Sequence, residues 1–91
     1  MIEEKKKVVY SNKPEFKQLV LRYGRKNLGR SITYDAFTKW LDKFGYNLSQ
    51  FDNCWKAVFR SLLQRNFKVN VAYRTAEDHQ LITVFQLTKR N

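Results

Sequence analysis

Hydrophobic positions recur at helical spacing through most of the chain and at strand spacing near its end. Three segments repeat apolar residues at intervals of three and four positions, the period of an amphipathic helix. Their apolar members are Phe16, Leu19, Val20 and Tyr23 in the first, Phe37, Trp40, Leu41 and Phe44 in the second, and Phe51, Cys54, Trp55, Val58, Leu62 and Leu63 in the third. From Phe67 the period changes to two, so that residues 67–73 and 81–87 are predicted strands around a polar loop. The pattern predicts three helices followed by a β-hairpin.

Start and stop signals refine the first helix. Asn12 is a good N-cap ahead of Pro14, which fits the first turn of a helix. Gly24 and Gly29 are both candidate stops, and the pattern does not choose between them. A short β-prone segment, residues 31–33, then precedes the second helix, and its last residue, Thr33, can cap that helix.

The second and third helices are predicted to be close neighbours along the chain. The second covers about residues 34–44 and ends at Gly45, since glycine is the usual residue just beyond a helix. Residues 45–48 then form a brief turn into a third helix, 49–66, which Ser49 can cap. Two helices joined by such a turn are the signature of a helix-turn-helix.

These elements predict an α+β fold, a winged helix-turn-helix with a C-terminal hairpin as the wing and a short strand before the second helix. A charged N-terminal arm, residues 1–11, contains a short candidate strand, and residues 12–91 form one domain. Hydrophobic residues make up 43% of the 91 residues, enough for one modest core.

A net charge of +10 predicts a polyanionic partner, because a compact domain with this excess repels itself. Nucleic acid is the first expectation, an acidic protein the second and an anionic membrane surface the third. The long basic stretch from Asn53 to Ala76 contains no carboxylate, which favours a nucleic-acid footprint over evenly solvated charge.

Other classes of function lack the residues that they need. The single cysteine, Cys54, allows no internal disulfide and is predicted to lie on the buried stripe of the third helix, where an arginine would unfold the domain. The lone His79 sits in a polar loop, and no ligand cluster or activated nucleophile accompanies it. We therefore expect no enzyme, no metal and no cofactor.

The expected cellular compartment and oligomeric state follow from the same sequence. A free thiol favours a reducing, intracellular compartment, the nucleus in a eukaryote and the cytoplasm or nucleoid in a bacterium or virus. No apolar run is long enough for a membrane span. Winged-helix regulators are commonly dimers, so a homodimer is also considered, although no heptad repeat indicates an interface.

Candidate DNA contacts follow from the polar face of the third helix and from the first wing strand. Amide, hydroxyl and cationic side chains are the groups that hydrogen-bond to base edges and phosphates. The candidate contacts are Ser49, Asn53, Lys56, Arg60, Gln64, Arg65, Lys68 and Arg74. Four cations of the first helix are candidate secondary phosphate contacts: Lys17, Arg22, Arg25 and Lys26.

Several of these positions resemble the globular domain of linker histones. The matching residues are Ser31-Ile32, Gly45-Tyr46, Lys56, Arg60, Ser61-Leu62 and the closing Phe85-Gln86-Leu87-Thr88-Lys89. The resemblance implies a winged helix whose third helix is directed at a DNA groove, with Lys56 and Arg60 as the carried-over contacts. The sequence departs from that family in having no long lysine-rich tail, and its wing carries Glu77 and Asp78 in place of a glycine-rich tip.

The function predicted from the sequence is non-enzymatic binding of double-stranded DNA, as a transcriptional regulator or an architectural protein. The acidic wing tip argues against deep insertion of the wing. The alternative is a protein-interaction module whose basic face docks on an acidic or nucleic-acid-handling partner; exposure of Trp55 or Tyr46 would favour it. RNA binding ranks lower, since it would require exposed aromatic rings.

Overall fold

Helices and short strands alternate in residues 7–49 and 52–88, the part of the chain that the computed structural model describes. The helices there are α1 (Pro14–Lys26), α2 (Tyr34–Lys43) and α3 (Trp55–Asn66). The strands are β1 (Lys7–Val9), β2 (Ser31–Thr33), β3 (Tyr46–Leu48), β4 (Lys68–Thr75) and β5 (Leu81–Thr88). This confirms the predicted α+β class. None of the described helices is long and apolar enough to cross a membrane.

The predicted hairpin and the predicted short strand form one antiparallel sheet. Strand β5 lies in its centre, between β2 and β4. Phe85 of β5 is paired with Ile32 on one side and Val71 on the other. Because side chains alternate along a strand, Phe85 and Leu87 point to the same side and are both buried. One face of the sheet thus covers the helices.

Four phenylalanines from four different elements meet in the core. Phe16 of α1, Phe37 of α2, Phe59 of α3 and Phe85 of β5 are all fully buried. The ring centroids of Phe37 and Phe59 are 4.5 Å apart, those of Phe59 and Phe85 are 5.7 Å apart, and those of Phe16 and Phe37 are 5.9 Å apart. Rings at these separations are in favourable contact, so this cluster holds all three helices to the sheet.

Helix α2 begins and ends as its sequence predicts. The Thr33 side chain accepts a hydrogen bond from the Ala36 amide at 3.1 Å, which caps the helix. Gly45 follows the helix with φ of +81°, a backbone conformation that disfavours residues with a Cβ.

The ends of α1 differ from the expectation. The helix begins at Pro14 with Lys13 in the cap position, and no side chain caps it, so the assignment of Asn12 as the cap is wrong. Neither candidate glycine ends the helix, since Gly24 is buried inside it. The Asn27 side chain instead donates to the Tyr23 carbonyl at 2.8 Å, which satisfies an acceptor of the last turn.

The predicted turn between α2 and α3 is also wrong. Residues 46–48 are not a turn but strand β3, which pairs in parallel with β1. The Ser49 amide donates to the Val9 carbonyl at 3.0 Å, and the helix begins only at Trp55. The hydrophobic pattern of the third segment alone favours a helix that starts at Ser49. Strand β1 of the N-terminal arm instead provides hydrogen-bond partners for the backbone of β3 and of Ser49.

The later start of α3 changes its buried stripe. Phe59 and Leu63 are fully buried, whereas Cys54 is exposed in the cap position, so its predicted place in the core is wrong. The prediction that Cys54→Arg unfolds the domain required a buried Cys54, and the exposed position removes that reason. Phe51 and Lys89, which the sequence also singled out, lie outside the described residues.

We predict that Gly24→Ala destabilises the fold. An alanine in a helix normally gains up to about 1 kcal/mol over glycine. Here a Cβ would lie 2.6 Å from the Cζ atom of Phe67, whose ring packs against the core. We expect a loss of about 1–3 kcal/mol in the free energy of unfolding, measured by urea denaturation.

Phe67→Leu, alone and combined with Gly24→Ala, is the control. Shortening the ring removes the clash, so the alanine should cost less in the Phe67→Leu background than in the original chain. Equal costs in the two backgrounds, or a stabilising Gly24→Ala, would contradict this packing.

Candidate nucleic-acid interface

An open cleft of about 440 Å³ lies between the start of α2, the start of α3 and the hairpin. We call it the hairpin cleft. Its lining includes Tyr34 of α2, Lys56 of α3, Arg74 of β4 and Leu81 of β5. The sequence places these residues far apart, and the packing of α2, α3 and the sheet on the shared core brings them together.

Lys56 and Arg60 lie one turn apart on the flank of α3 that faces Tyr34. The Lys56 Nζ atom is 5.4 Å from the centre of the Tyr34 ring and 6.0 Å from that of Trp55. A cation over an aromatic face at this distance is attracted by the ring electrons. The Tyr34 ring therefore orients the Lys56 ammonium group at the mouth of the hairpin cleft.

Arg60 interacts with the other end of Tyr34. Burial raises the pKa of the Tyr34 hydroxyl, the charge of the nearby Arg60 guanidinium acts against that increase, and the neighbouring Tyr73 adds to it. A hydrogen bond between Arg60 and Tyr34 also lowers the pKa, but the net direction is upward. Tyr34 thus stays neutral at physiological pH, with Lys56 over its ring and Arg60 near its hydroxyl.

The basic residues of this surface have no carboxylate partner in the described part of the chain. Ion pairs there join Lys7 to Glu15 at 2.8 Å and Lys39 to Asp35 at 3.1 Å. None of them involves Lys56, Arg60, Arg65, Lys68 or Arg74. Asp35 also lines the cleft but pairs with Lys39, so these cations remain available to an external anion.

The structure brings together some of the candidate contacts and separates others. Lys56, Arg60 and Arg74 lie at or beside the hairpin cleft. Arg65 and Lys68 are exposed at the far end of α3 and at the start of β4. Since a strand rises about 3.3 Å per residue, Lys68 is roughly 20 Å from Arg74 along β4. The basic residues predicted as a footprint thus extend from the hairpin cleft along α3 to its far end and the start of β4.

The polar candidate contacts on the third segment differ in exposure. Gln64 is exposed on α3, and Asn53 is exposed in the turn before it. Ser49 is buried in front of the helix, with 7% of its surface exposed, so its predicted place on the outer face of the third helix is wrong. The β1–β3 pairing is the cause, because it ends at Ser49.

The secondary candidates lie on another surface. Lys17, Arg22, Arg25 and Lys26 are all exposed on α1. Arg22 and Lys26 lie over the ring of Phe44, at 5.5 and 5.4 Å from its centre. They border α2 and do not line the hairpin cleft.

Exposed apolar side chains beside the hairpin cleft were not predicted as site residues. Tyr73 is 58% exposed and Leu81 is 74% exposed. Tyr73 continues the inward-facing alternation of β4 beyond the end of the core, so the strand pattern places it inside. Only the tertiary structure shows that none of the described helices covers this end of the hairpin.

Asp52 ties the N-terminal segment to the start of α3. Its carboxylate accepts hydrogen bonds from the amide and the hydroxyl of Ser11 and, at 3.3 Å, from the Cys54 amide. Burial raises the pKa of Asp52, but these three hydrogen bonds to the charged form outweigh that effect and hold the pKa below its usual value. The carboxylate thereby fixes the position from which Lys56 projects.

Comparison with known protein families, with curated proteins and with solved structures finds no match to this chain. Its function has to be inferred from its own residues. Among the described residues there is no group of three His, Cys, Asp or Glu side chains placed to hold a metal ion.

We predict that Asp52→Asn destabilises the domain in a pH-dependent way. The substituted side chain would keep one acceptor but lose the charge, and hydrogen bonds to a charged group are the stronger ones, so we expect a loss of about 1–2 kcal/mol at pH 7. Because the folded pKa lies below the unfolded one, the contribution is complete above the ordinary carboxyl pKa of about 4 and is lost as the pH falls through the folded value.

The measurement is urea unfolding of both proteins between pH 7 and pH 2. Asp78→Asn is the control, since Asp78 is exposed and accepts a hydrogen bond from the Gln80 amide of its own turn. A difference between wild type and Asp52→Asn that does not shrink in acid would refute the role of the charge.

Native Cys54 is predicted to react with a soluble disulfide reagent such as dithionitrobenzoate. Its exposure in the cap position leaves the thiol accessible without unfolding. One equivalent should react in the folded state, and Cys54→Ser should change the free energy of unfolding by less than about 0.5 kcal/mol. Reaction only after denaturation would show that the thiol is buried.

Proposed function

We propose that this chain is a winged-helix protein that binds double-stranded DNA through α3 and the hairpin cleft. The order of elements supports the fold assignment: α1, β2, α2 and α3 precede a hairpin, and β2 completes a sheet in the order β2-β5-β4. In that arrangement α3 is the helix that approaches a groove and the β4–β5 hairpin is the wing.

One observation carries the proposal. Lys56, Arg60 and Arg74 converge beside one cleft without a carboxylate partner in the described residues, on a chain of net charge +10. Neutralising phosphates releases counterions, and this release is the main source of affinity for sequence-independent contacts. Small Ala57 and exposed Gln64 leave the outermost side of α3 open to close approach.

The role of each side chain follows from its geometry. Lys56 is a point charge held by two rings and suits a phosphate. Arg60 and Arg74 present planar donors that suit a phosphate or the two acceptors of a guanine edge. Exposed Leu81 at the start of β5 is the type of apolar side chain that packs into a minor groove beside such contacts. A regulatory or architectural role is consistent with these contacts.

A second candidate is single-stranded nucleic acid, and the exposure of Tyr73 is the observation that favours it. A ring that is 58% exposed, on the strand that also carries Arg74, can stack on an unpaired base. By contrast, Trp55 and Tyr46 pack against the core, so the exposure that would favour a protein-interaction surface around either of them is not observed.

We predict that Lys56→Ala combined with Arg60→Ala weakens binding to a labelled 20-base-pair duplex of random sequence. Two cations that would neutralise phosphates are removed, so the affinity at low salt should fall at least about tenfold. The slope of log K against log salt should become shallower by roughly 0.9 for each lost phosphate contact. Fluorescence anisotropy measures both quantities.

Arg30→Ala combined with Lys43→Ala is the charge-matched control. Both residues are exposed, and neither lines the hairpin cleft. This variant loses the same net charge and should keep most of its duplex affinity. Equal losses of duplex affinity in the two variants would show that binding depends on net charge alone. Unchanged affinity of the Lys56→Ala, Arg60→Ala variant would refute the role of α3.

A single strand of equal length tests the second candidate. Preference for the duplex, with little effect of Tyr73→Ala, supports the proposed function. Preference for the single strand, with a large loss on Tyr73→Ala, would replace it.

A further inference from the structure

A second concave surface lies between the end of α1 and α2. It is a groove of about 610 Å³, which we call the α1–α2 groove. Its principal lining residues are Tyr23, Lys26, Arg30, Lys39, Trp40 and Lys43. None of the candidate DNA contacts on α3 or the hairpin belongs to it.

The α1–α2 groove and the hairpin cleft lie on different sides of α2. Ala36, Lys39 and Lys43 are spaced three and four positions apart and face the groove together. Tyr34 faces the cleft instead, and Asp35, which also lines the cleft, lies at the boundary between the two surfaces and pairs with Lys39. A ligand in the groove therefore leaves the proposed DNA surface free.

The groove combines positive charge with an apolar floor. Four of its lining residues are cations, and none of the described carboxylates lines it. Lys39 pairs with Asp35 at 3.1 Å, but both side chains are at least 75% exposed, and such a surface pair is weak. Lys26 and Lys43 belong to the last turns of their helices, where cations complement the helix dipole. Lys39 has its pair with Asp35, and Arg30 has neither explanation.

The aromatic rings of the floor already contact other rings. The Trp40 centroid is 5.0 Å from that of Tyr23, 4.9 Å from that of Phe44 and 6.2 Å from that of Phe37. Cations of α1 lie over Phe44. Unpaired bases need open ring faces for stacking, so this floor does not suit single-stranded nucleic acid.

The rim and floor suit a peptide that carries carboxylates next to large apolar side chains. Such side chains can pack against the edges of the Tyr23 and Trp40 rings while the carboxylates reach the cations around them. Trp40 contributes one further feature, since its Nε1 donor is buried without a hydrogen-bond partner in the described part of the chain.

We infer that the α1–α2 groove is a docking site for an acidic, apolar segment of a partner protein. The occupant is identified by charge complementarity with Lys26, Arg30, Lys39 and Lys43 and by the apolar floor between them. A protein that holds DNA on one side of α2 would hold its protein partner on the other.

The test begins with selection from a random library of 12-residue peptides on the immobilised full chain. The expected consensus has at least three acidic residues and one or two aromatic or large aliphatic residues. Binding of a labelled synthetic peptide of that consensus to the full chain is then measured by fluorescence anisotropy. A 12-residue polyglutamate and a 12-nucleotide oligothymidylate are the comparison probes.

Arg30→Ala combined with Lys43→Ala should weaken binding of the selected peptide at least tenfold. Lys56→Ala combined with Arg60→Ala removes the same charge elsewhere and should change it less than twofold. Both variants are first checked for an unchanged melting temperature, because all four side chains are wholly or partly exposed.

Four results would overturn the inference. They are the absence of an acidic and apolar consensus, equal binding of polyglutamate, tighter binding of oligothymidylate that depends on Arg30 and Lys43, and equal losses in the two variants. The duplex assay is independent of this one, so failure of the docking site and failure of the proposed DNA function are distinguishable.

Discussion

Phe16, Phe37, Phe59 and Phe85 are each fully buried, and successive rings touch from α1 through α2 and α3 to β5. Removing one such ring from a core costs about 3–5 kcal/mol, a large part of the stability of a small domain. The direction in which Phe59 points also sets the rotation of α3, and so decides which of its side chains face the hairpin. The surface chemistry depends on this cluster of rings.

Aromatic rings also organise the excess positive charge. Lys56 lies 5.4 Å from the centre of the Tyr34 ring, and Lys26 lies 5.4 Å from that of Phe44. These contacts orient cations without neutralising them, whereas a salt bridge would do both. The chain thereby keeps charge available on two sides of α2, one proposed for DNA and the other for an acidic protein segment.

Part of the candidate site was predictable and part was not. Helical periodicity places Lys56 and Arg60 on the same side of α3, since it requires only the local repeat. It does not predict that Arg74 and Tyr34 meet them at one cleft, because those residues come from other elements and the angle of packing decides their distance. Exposed Leu81 was missed for the same reason, as an apolar residue in a strand pattern is expected inside.

The sequence by itself determined the elements whose signals are local. The cap at Thr33, the stop at Gly45 and the alternation of the hairpin require only near neighbours along the chain. Only the tertiary structure decided where α3 begins. Asp52 bonds to Ser11, 41 positions away, and β1 pairs with β3 up to the residue before Ser49, so α3 begins at Trp55 and not at the predicted Ser49. Helix propensity is a weak local preference, and backbone pairing from a distant segment outweighs it.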